Sequence, residues 1–160
     1  VCALSEAAPA LSRRQGLGGL LACALLGVGP AHGQALAPTL DLSLLYRPFT
    51  GDATPSPARV TVTTPRLADN GFTVPLSVRI DSPMTQADHV QRLVLLSNRN
   101  PRPVIAEFEL GPWSGRAEIA TRVRLNGSQE VMALVQTSDG RWWQGTAEVE
   151  VTESACLDAS

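Results

Sequence analysis

Polar and apolar residues alternate through much of the chain after residue 72. Thr73-Val74-Pro75-Leu76-Ser77-Val78-Arg79-Ile80 puts Val74, Leu76, Val78 and Ile80 on one face, the period-two pattern of a half-buried strand. Pro75 has no N–H to give to a ladder, which predicts an edge strand or a bulge there. The alternation recurs with Val104, Ala106, Phe108 and Leu110, with Ile119, Thr121, Val123 and Leu125, and with Ala147, Val149 and Val151. Glu130 to Thr137 is apolar on both faces and predicts a central strand. Turn-forming residues fall between the runs, at Asp69-Asn70-Gly71, Asn100-Pro101, Gly111-Pro112, Asn126-Gly127 and Ser138-Asp139-Gly140. With Arg59–Thr64 and Val90–Ser97 added, about seven strands are expected, spaced as in an immunoglobulin-like β-sandwich. The expected fold class is therefore all-β, over residues 58–152, with a flexible C-terminal arm at 153–160. Residues 36–57 read as a lead-in, with a short helix from Asp41 to Tyr46 and then a loop at Gly51, Pro55 and Pro57. No segment shows a sustained 3.6-residue period.

The first 35 residues have a different character. Arg13 and Arg14 stand directly before an uncharged apolar run, Leu17 to Val28, which ends in the small residues of Gly33-Gln34-Ala35. This order of positive, apolar and small residues is that of a cleaved export signal, and the run is too short for a bilayer anchor. The paired arginines predict the twin-arginine route and a periplasmic destination, with cleavage after Ala35 and no membrane anchor in the mature form. Leu20-Leu21-Ala22-Cys23 has the form of a lipoprotein box, but apolar residues continue past Cys23, which favours the plain signal.

Composition sharpens this reading once the signal is set aside. All 13 basic residues are arginine, and the whole chain has a formal charge of −2. Without residues 1–35 there remain 11 basic and 14 acidic side chains, a net of −3. An acidic balance argues against a nucleic-acid partner. Cys2 and Cys23 leave with the signal, and Cys156 is then the one cysteine of the domain and arm. A lone thiol in an exported chain is free, bonded to another molecule, or modified.

Few residues offer chemistry. His89, after Asp88 in a polar stretch, reads as a hydrogen-bonded loop histidine, without a nucleophile beside it in sequence. The chain carries no nucleophile elbow, phosphate loop or dinucleotide fingerprint, and too few His and Cys for a metal site, so no cofactor, metal or catalytic residue is assigned. Glu107, Glu109, Glu118, Glu148 and Glu150 fall on outer strand faces, where solvation is the ordinary role. Trp142 and Trp143 are adjacent on a strand and so point to opposite faces, one into the core and one outward as a candidate interface anchor. Cys156 lies four residues past the last strand, within about 13 Å of it at full extension. Glu153 and Asp158 disfavour the thiolate there, so activation would fall to a partner. That geometry suits a thiol presented to another protein. An incidental cysteine on an immunoglobulin-like binding module, or one forming an intermolecular disulfide, remains open at this point.

From the Asp69-Asn70-Gly71 turn onward the chain resembles the SoxY family, the sulfur-carrier subunit of the bacterial thiosulfate-oxidising (Sox) system. The residues that carry the resemblance are Leu67-Ala68-Asp69-Asn70-Gly71, Val74-Pro75, Asp81-Ser82-Pro83-Met84, Asn100-Pro101, Phe108-Glu109-Leu110-Gly111-Pro112, Gly115-Arg116-Ala117-Glu118-Ile119, Thr121-Arg122-Val123-Arg124-Leu125 and Ser138-Asp139-Gly140. The resemblance implies a non-enzymatic carrier that holds sulfur intermediates covalently on a cysteine of its C-terminal arm, here Cys156. It also implies a SoxZ-type subunit as heterodimer partner, and separate sulfur-oxidation enzymes and cytochromes that load, oxidise and hydrolyse the cargo. A twin-arginine signal is expected in that family too. Many members end in Gly-Gly-Cys-Gly-Gly, whereas here Ala155 and Leu157 flank Cys156 and Asp158-Ala159-Ser160 follow, which implies a variant arm.

Overall fold

A computed structural model of the chain describes residues 39–152. The expectations for the export signal with Arg13 and Arg14, and for the arm with Cys156, lie outside those residues. The described part is an all-β sandwich, as the alternating pattern predicts. Strands β1 (Val60–Thr63), β3 (Val74–Ile80) and β6 (Glu118–Val123) form one sheet in the order β1-β3-β6. Strands β2 (Leu67–Ala68), β4 (Val90–Ser97), β5 (Val104–Glu109), β7 (Gln129–Thr137) and β8 (Trp142–Val151) form the other, in the order β2-β8-β7-β4-β5. All pairings are antiparallel except β2 with β8. The strand beyond the expected seven is β2, whose two residues are too few for any period to show.

The core lies between the sheets. Val74, Leu76, Val78 and Ile80 of β3 face Leu93 and Leu95 of β4, Val131, Ala133 and Val135 of β7, and Val149 of β8. These side chains are almost wholly removed from water, and each such Val, Leu or Ile stabilises the fold by about 1.5–3 kcal/mol in transfer free energy. A second apolar cluster occupies the outer face of the five-stranded sheet, where Val94, Leu96, Met132, Leu134 and Trp142 meet Leu42, Leu45, Tyr46 and Phe49. Those four come from helix α1 (Leu42–Thr50), which runs one turn past the Tyr46 end expected from sequence. Their spacing of three, four and seven residues makes one helical face. Asp41 caps α1 by accepting the Ser43 N–H at 2.8 Å, and Gly51, at φ 61°, closes it by donating to the Arg47 carbonyl at 2.8 Å. Gly51 is suited to that left-handed conformation because it has no Cβ. The helix explains why β4 and β7 are apolar on both faces: one face meets the other sheet and the other meets α1.

Two local expectations need correction. Ile105, not Val104, packs against the main core, while Val104 is exposed. The cause is a register shift between Leu95 and Leu96, which pair with Ala106 and Val104 and leave Ile105 as the extra residue of a bulge. Strand β3, in turn, is not an edge but the middle of its sheet. Pro75 is tolerated because Ile80 N–H points to β6 and Asp81 N–H to the β1 side, so odd-numbered β3 residues face β1. Strand β1 pairs only as far as Ser77, and the position of Pro75 has no ladder acceptor to satisfy.

Candidate functional site

The two ends of the sandwich differ, and the difference follows from the strand order. At one end β8 finishes and the chain passes Thr152 toward Cys156. Here the last residues are held on both sides. Thr152 N–H donates to the Ala68 carbonyl at 3.1 Å, and its hydroxyl donates to the Asp69 carbonyl. Ser128 Oγ accepts the Val151 N–H at 2.9 Å and lies 3.3 Å from the Val151 carbonyl, to which it donates. The short parallel strand β2 thus serves as a clamp for the final strand. It fixes the chain up to Thr152, four residues before Cys156.

The loops around this anchor are tied together by a buried polar network. Ser97 is fully buried and Gln129 nearly so. The Ser97 hydroxyl donates to Gln129 Oε1, and its oxygen accepts the N–H of Asn100 at 3.0 Å and of Arg99 at 3.3 Å. Gln129 Nε2 donates to the Gly127 carbonyl at 3.2 Å and to Asn100 Oδ1 at 3.1 Å, while Asn100 Nδ2 donates to the Arg124 carbonyl at 2.8 Å. Arg99 Nη1 donates to the Ser128 carbonyl at 2.9 Å. The paired groups of Ser97, Gln129 and Asn100 fix loop positions, since each would be costly to leave unpaired, while Arg99 Nε is buried without a partner. Leu125 N–H to Gly71 O, at 2.8 Å, adds the turn before β3, and there the Arg124 guanidinium stands 5.4 Å from the ring centroid of the exposed Phe72. No pattern in the sequence singles out Phe72, Arg124 or Ser97; they become neighbours only because three separate turns end on the same side.

The opposite end carries His89, Trp143 and the Ser138-Asp139-Gly140 turn. His89 Nδ1 donates to the Thr85 carbonyl at 3.0 Å, and its backbone N–H donates to Ser138 Oγ at 3.2 Å, the structural role expected of it. Trp142 and Trp143 point to opposite faces as expected, but neither ring is exposed. Trp142 lies beneath α1. Trp143 is half-buried because it packs at the margin of the core between the sheets, with Arg59 and Arg141 each 5.3 Å from its ring and its Nε1–H donating to Thr137 Oγ1 at 3.1 Å. The exposed tryptophan is Trp113, 84% accessible, in a short 3₁₀ turn (Pro112–Ser114). Its ring lies against the Gly111 backbone so closely that a Cβ there would come within 2.3 Å of it, so glycine at that position lets the ring rest on the chain. Among the outer-face carboxylates, Glu107 pairs with Arg92 at 2.7 Å and Glu118 with Arg79 at 3.3 Å.

Asp139 is the perturbed carboxylate among the turns. Its carboxyl is drawn down from 3.8 to about 2, first by the Thr137 hydroxyl (2.6 Å), then by the Arg141 guanidinium and the Arg141 N–H. A folded-state value below the unfolded one means its contribution is complete above pH 3.8 and is lost as the pH falls through about 2. Thr137→Val keeps the shape and deletes the strongest donor. In a carboxyl-carbon NMR titration the Asp139 midpoint is expected near 2 in the unsubstituted protein and clearly higher in that variant. Equal midpoints would remove Thr137 as the main cause.

The comparisons with known proteins bear on the whole domain. The family described as sulfur oxidation protein SoxY matches residues 47–156, a segment whose last residue is Cys156. Among solved structures, the sulfur carrier protein SoxY from Chlorobium limicola f thiosulfatophilum aligns with a TM-score of 0.58 at 22% identity, covering 69% of this chain and 96% of that one. A superoxide reductase (neelaredoxin) from Ignicoccus hospitalis aligns with a TM-score of 0.53 at 14% identity, over 59% of this chain and 80% of that one. A putative superoxide reductase from Thermotoga maritima does so with a TM-score of 0.51 at 18% identity, over 59% and 86%. At such identities these likenesses are of fold. No curated protein sequence matches the chain. The family match takes in the last turn of α1, the whole sandwich and the stretch up to Cys156, well over half of the sequence, and on that ground the chain belongs to the SoxY family of sulfur oxidation proteins.

Proposed function

We propose that the protein is a periplasmic carrier, exported through the signal bearing Arg13 and Arg14, that holds sulfur intermediates covalently on Cys156 and presents them to partner enzymes. The observation that carries this reading is the clamp at the end of β8. Backbone and side-chain hydrogen bonds hold the chain as far as Thr152, and the cysteine follows within four residues. The thiol therefore extends at most about 13 Å from a rigid anchor. A carrier needs a fixed handle and a short tether, because the tether length sets how closely a partner must approach.

Loading follows from thiol chemistry. One S–S bond forms between Cys156 Sγ and the outer sulfur of thiosulfate, the thiol proton leaves to solvent, and two electrons pass to an acceptor. Partner cytochromes would supply that acceptor, and a SoxZ-type subunit would complete the carrier as a heterodimer. The thiolate is the reactive form, so the loading partner has to promote it. Intact and peptide mass spectrometry of protein from cells growing on thiosulfate is expected to show a sulfur-containing adduct on the peptide bearing Cys156. Only unmodified Cys156 under those conditions would count against a carrier.

A further inference from the structure

The two sheets end in unlike edges. Strand β6 is the outermost of its sheet, and among the described strands nothing pairs along its far side. Ile80 N–H donates to the Ala117 carbonyl at 2.9 Å, so the odd-numbered residues of this stretch turn their backbone toward β3. Glu118, Ala120 and Arg122 therefore turn N–H and C=O away from it, a row of backbone donors and acceptors along the edge. The strand is regular. Its register with β3 runs from Val74 with Val123 to Arg79 with Glu118 without a shift, and it holds no proline. The side chains of Glu118, Ala120 and Arg122 are all exposed on the outer face of the sheet, opposite charges at the ends and a methyl group between.

Strand β5, an edge of the five-stranded sheet, is built differently. A bulge at Ile105 interrupts it, and Glu107 and Glu109 put two like charges on its exposed face. Bulges and like charges are means by which a sheet edge avoids pairing with a copy of itself. Strand β6 has neither.

We propose that β6 is a self-pairing edge: two copies of the chain join antiparallel along it, about a twofold axis at Ala120, so that their three-stranded sheets become one. The order of charges names the occupant. A twofold at Ala120 sets residue 120 opposite itself and residue 118 opposite residue 122, so Glu118 of each copy faces Arg122 of the other. All of these residues turn N–H and C=O to the other strand, so each facing pair exchanges two backbone hydrogen bonds, the strand-addition mode of recognition. Arg79 is the other charge on this outer sheet face, and its Nη2 already meets Glu118 Oε2 at 3.3 Å. Oε1 of the same carboxylate is left for the guanidinium across the axis. On the inner face the half-buried Ile119 comes to lie opposite Thr121 of the second copy, which extends the cover over the core that Ile119 packs against. The inference goes beyond the carrier role and does not depend on it, since no residue of the arm takes part.

The test is sedimentation velocity of the mature chain over a range of concentrations, with dithiothreitol present so that Cys156 cannot link two chains. A monomer–dimer equilibrium is expected, weakened by added salt. Glu118→Arg and Arg122→Glu each bring like charges together on both sides of the axis, and each is expected to weaken the dimer about tenfold or more. An equimolar mixture of the two variants is expected to regain it, because each chain then offers the charge the other lacks. Ala120→Pro deletes the central donor, which makes no ladder bond within one chain, and is expected to abolish the dimer. Melting curves check that the variants are folded, and recovery in the mixture shows it independently for the two charge variants. A monomer at every concentration, a dimer that both charge variants leave intact, or a mixture that stays monomeric overturns the β6 pairing.

Discussion

Cys156→Ser is expected to abolish the sulfur adduct and thiosulfate-dependent growth together, and to leave the fold untouched. The loss should be complete because serine cannot form the S–S bond by which a carrier holds its cargo. No second cysteine stands in the domain or arm to substitute for it, since Cys2 and Cys23 precede residue 36. Stability should be unaffected because Cys156 lies four residues beyond the hydrogen bonds that clamp Val151 and Thr152. Melting temperature, adduct mass and growth on thiosulfate check the three parts separately. Unimpaired growth of the variant would leave Cys156 incidental, as on a plain binding module. A dithiothreitol-sensitive dimer in place of an adduct would point to an intermolecular disulfide.

Leu95→Ala should cost more stability than other truncations of the same kind, toward the upper end of the roughly 2–5 kcal/mol typical of buried leucines. Leu95 is fully buried between the sheets on β4. Its cross-strand neighbours are Ala106 on β5 and Ala133 on β7, so its side chain fills the width left by two small residues. Neither alanine can reach into the space that truncation opens, and the sheets cannot close on it without disturbing the packing of Val78 and Val135 around them. Leu134 is a useful contrast. It is as deeply buried but lies beneath α1, a single short helix that can settle toward the sheet. Urea unfolding of both variants is expected to show the larger loss for Leu95→Ala. Against a total stability of about 5–15 kcal/mol that loss is severe, and equal losses would mean that the alanine neighbours do not matter.

The strands with the best sequence signal are those with one face in the core. Val74 through Ile80 and Ile119 through Val123 alternate without interruption, and both are strands of the small sheet. Strand β7 was legible as a central strand from its apolar residues on both faces. The reason for its second apolar face was not, because α1 must first be brought back over the sheet. Leu42, Leu45, Tyr46 and Phe49 make only two turns, too short a run to stand out as a helical period. Strict alternation from Ala106 puts Val104 inward and Ile105 outward, and the bulge that reverses the two has no local signature in the side chains. Trp143 read as a candidate anchor because its neighbours in space, Arg59 and Arg141, include one that is far away in sequence.

What the sequence determined by itself is local or countable: the period of the strands, the turns between them, the short apolar run behind Arg13 and Arg14, and the standing of Cys156 as the one cysteine after residue 35. Tertiary structure alone decided which turns share an end. The segments 66–73, 98–103 and 124–128 are far apart in the chain, and they lie at one end of the sandwich because β2 pairs with β8 while β4, β6 and β7 begin or end there. Strand order depends on pairing between distant segments, and each segment's own pattern of polar and apolar residues is compatible with many such orders. The thiol could be found by counting, but which loops surround the chain where β8 ends could not.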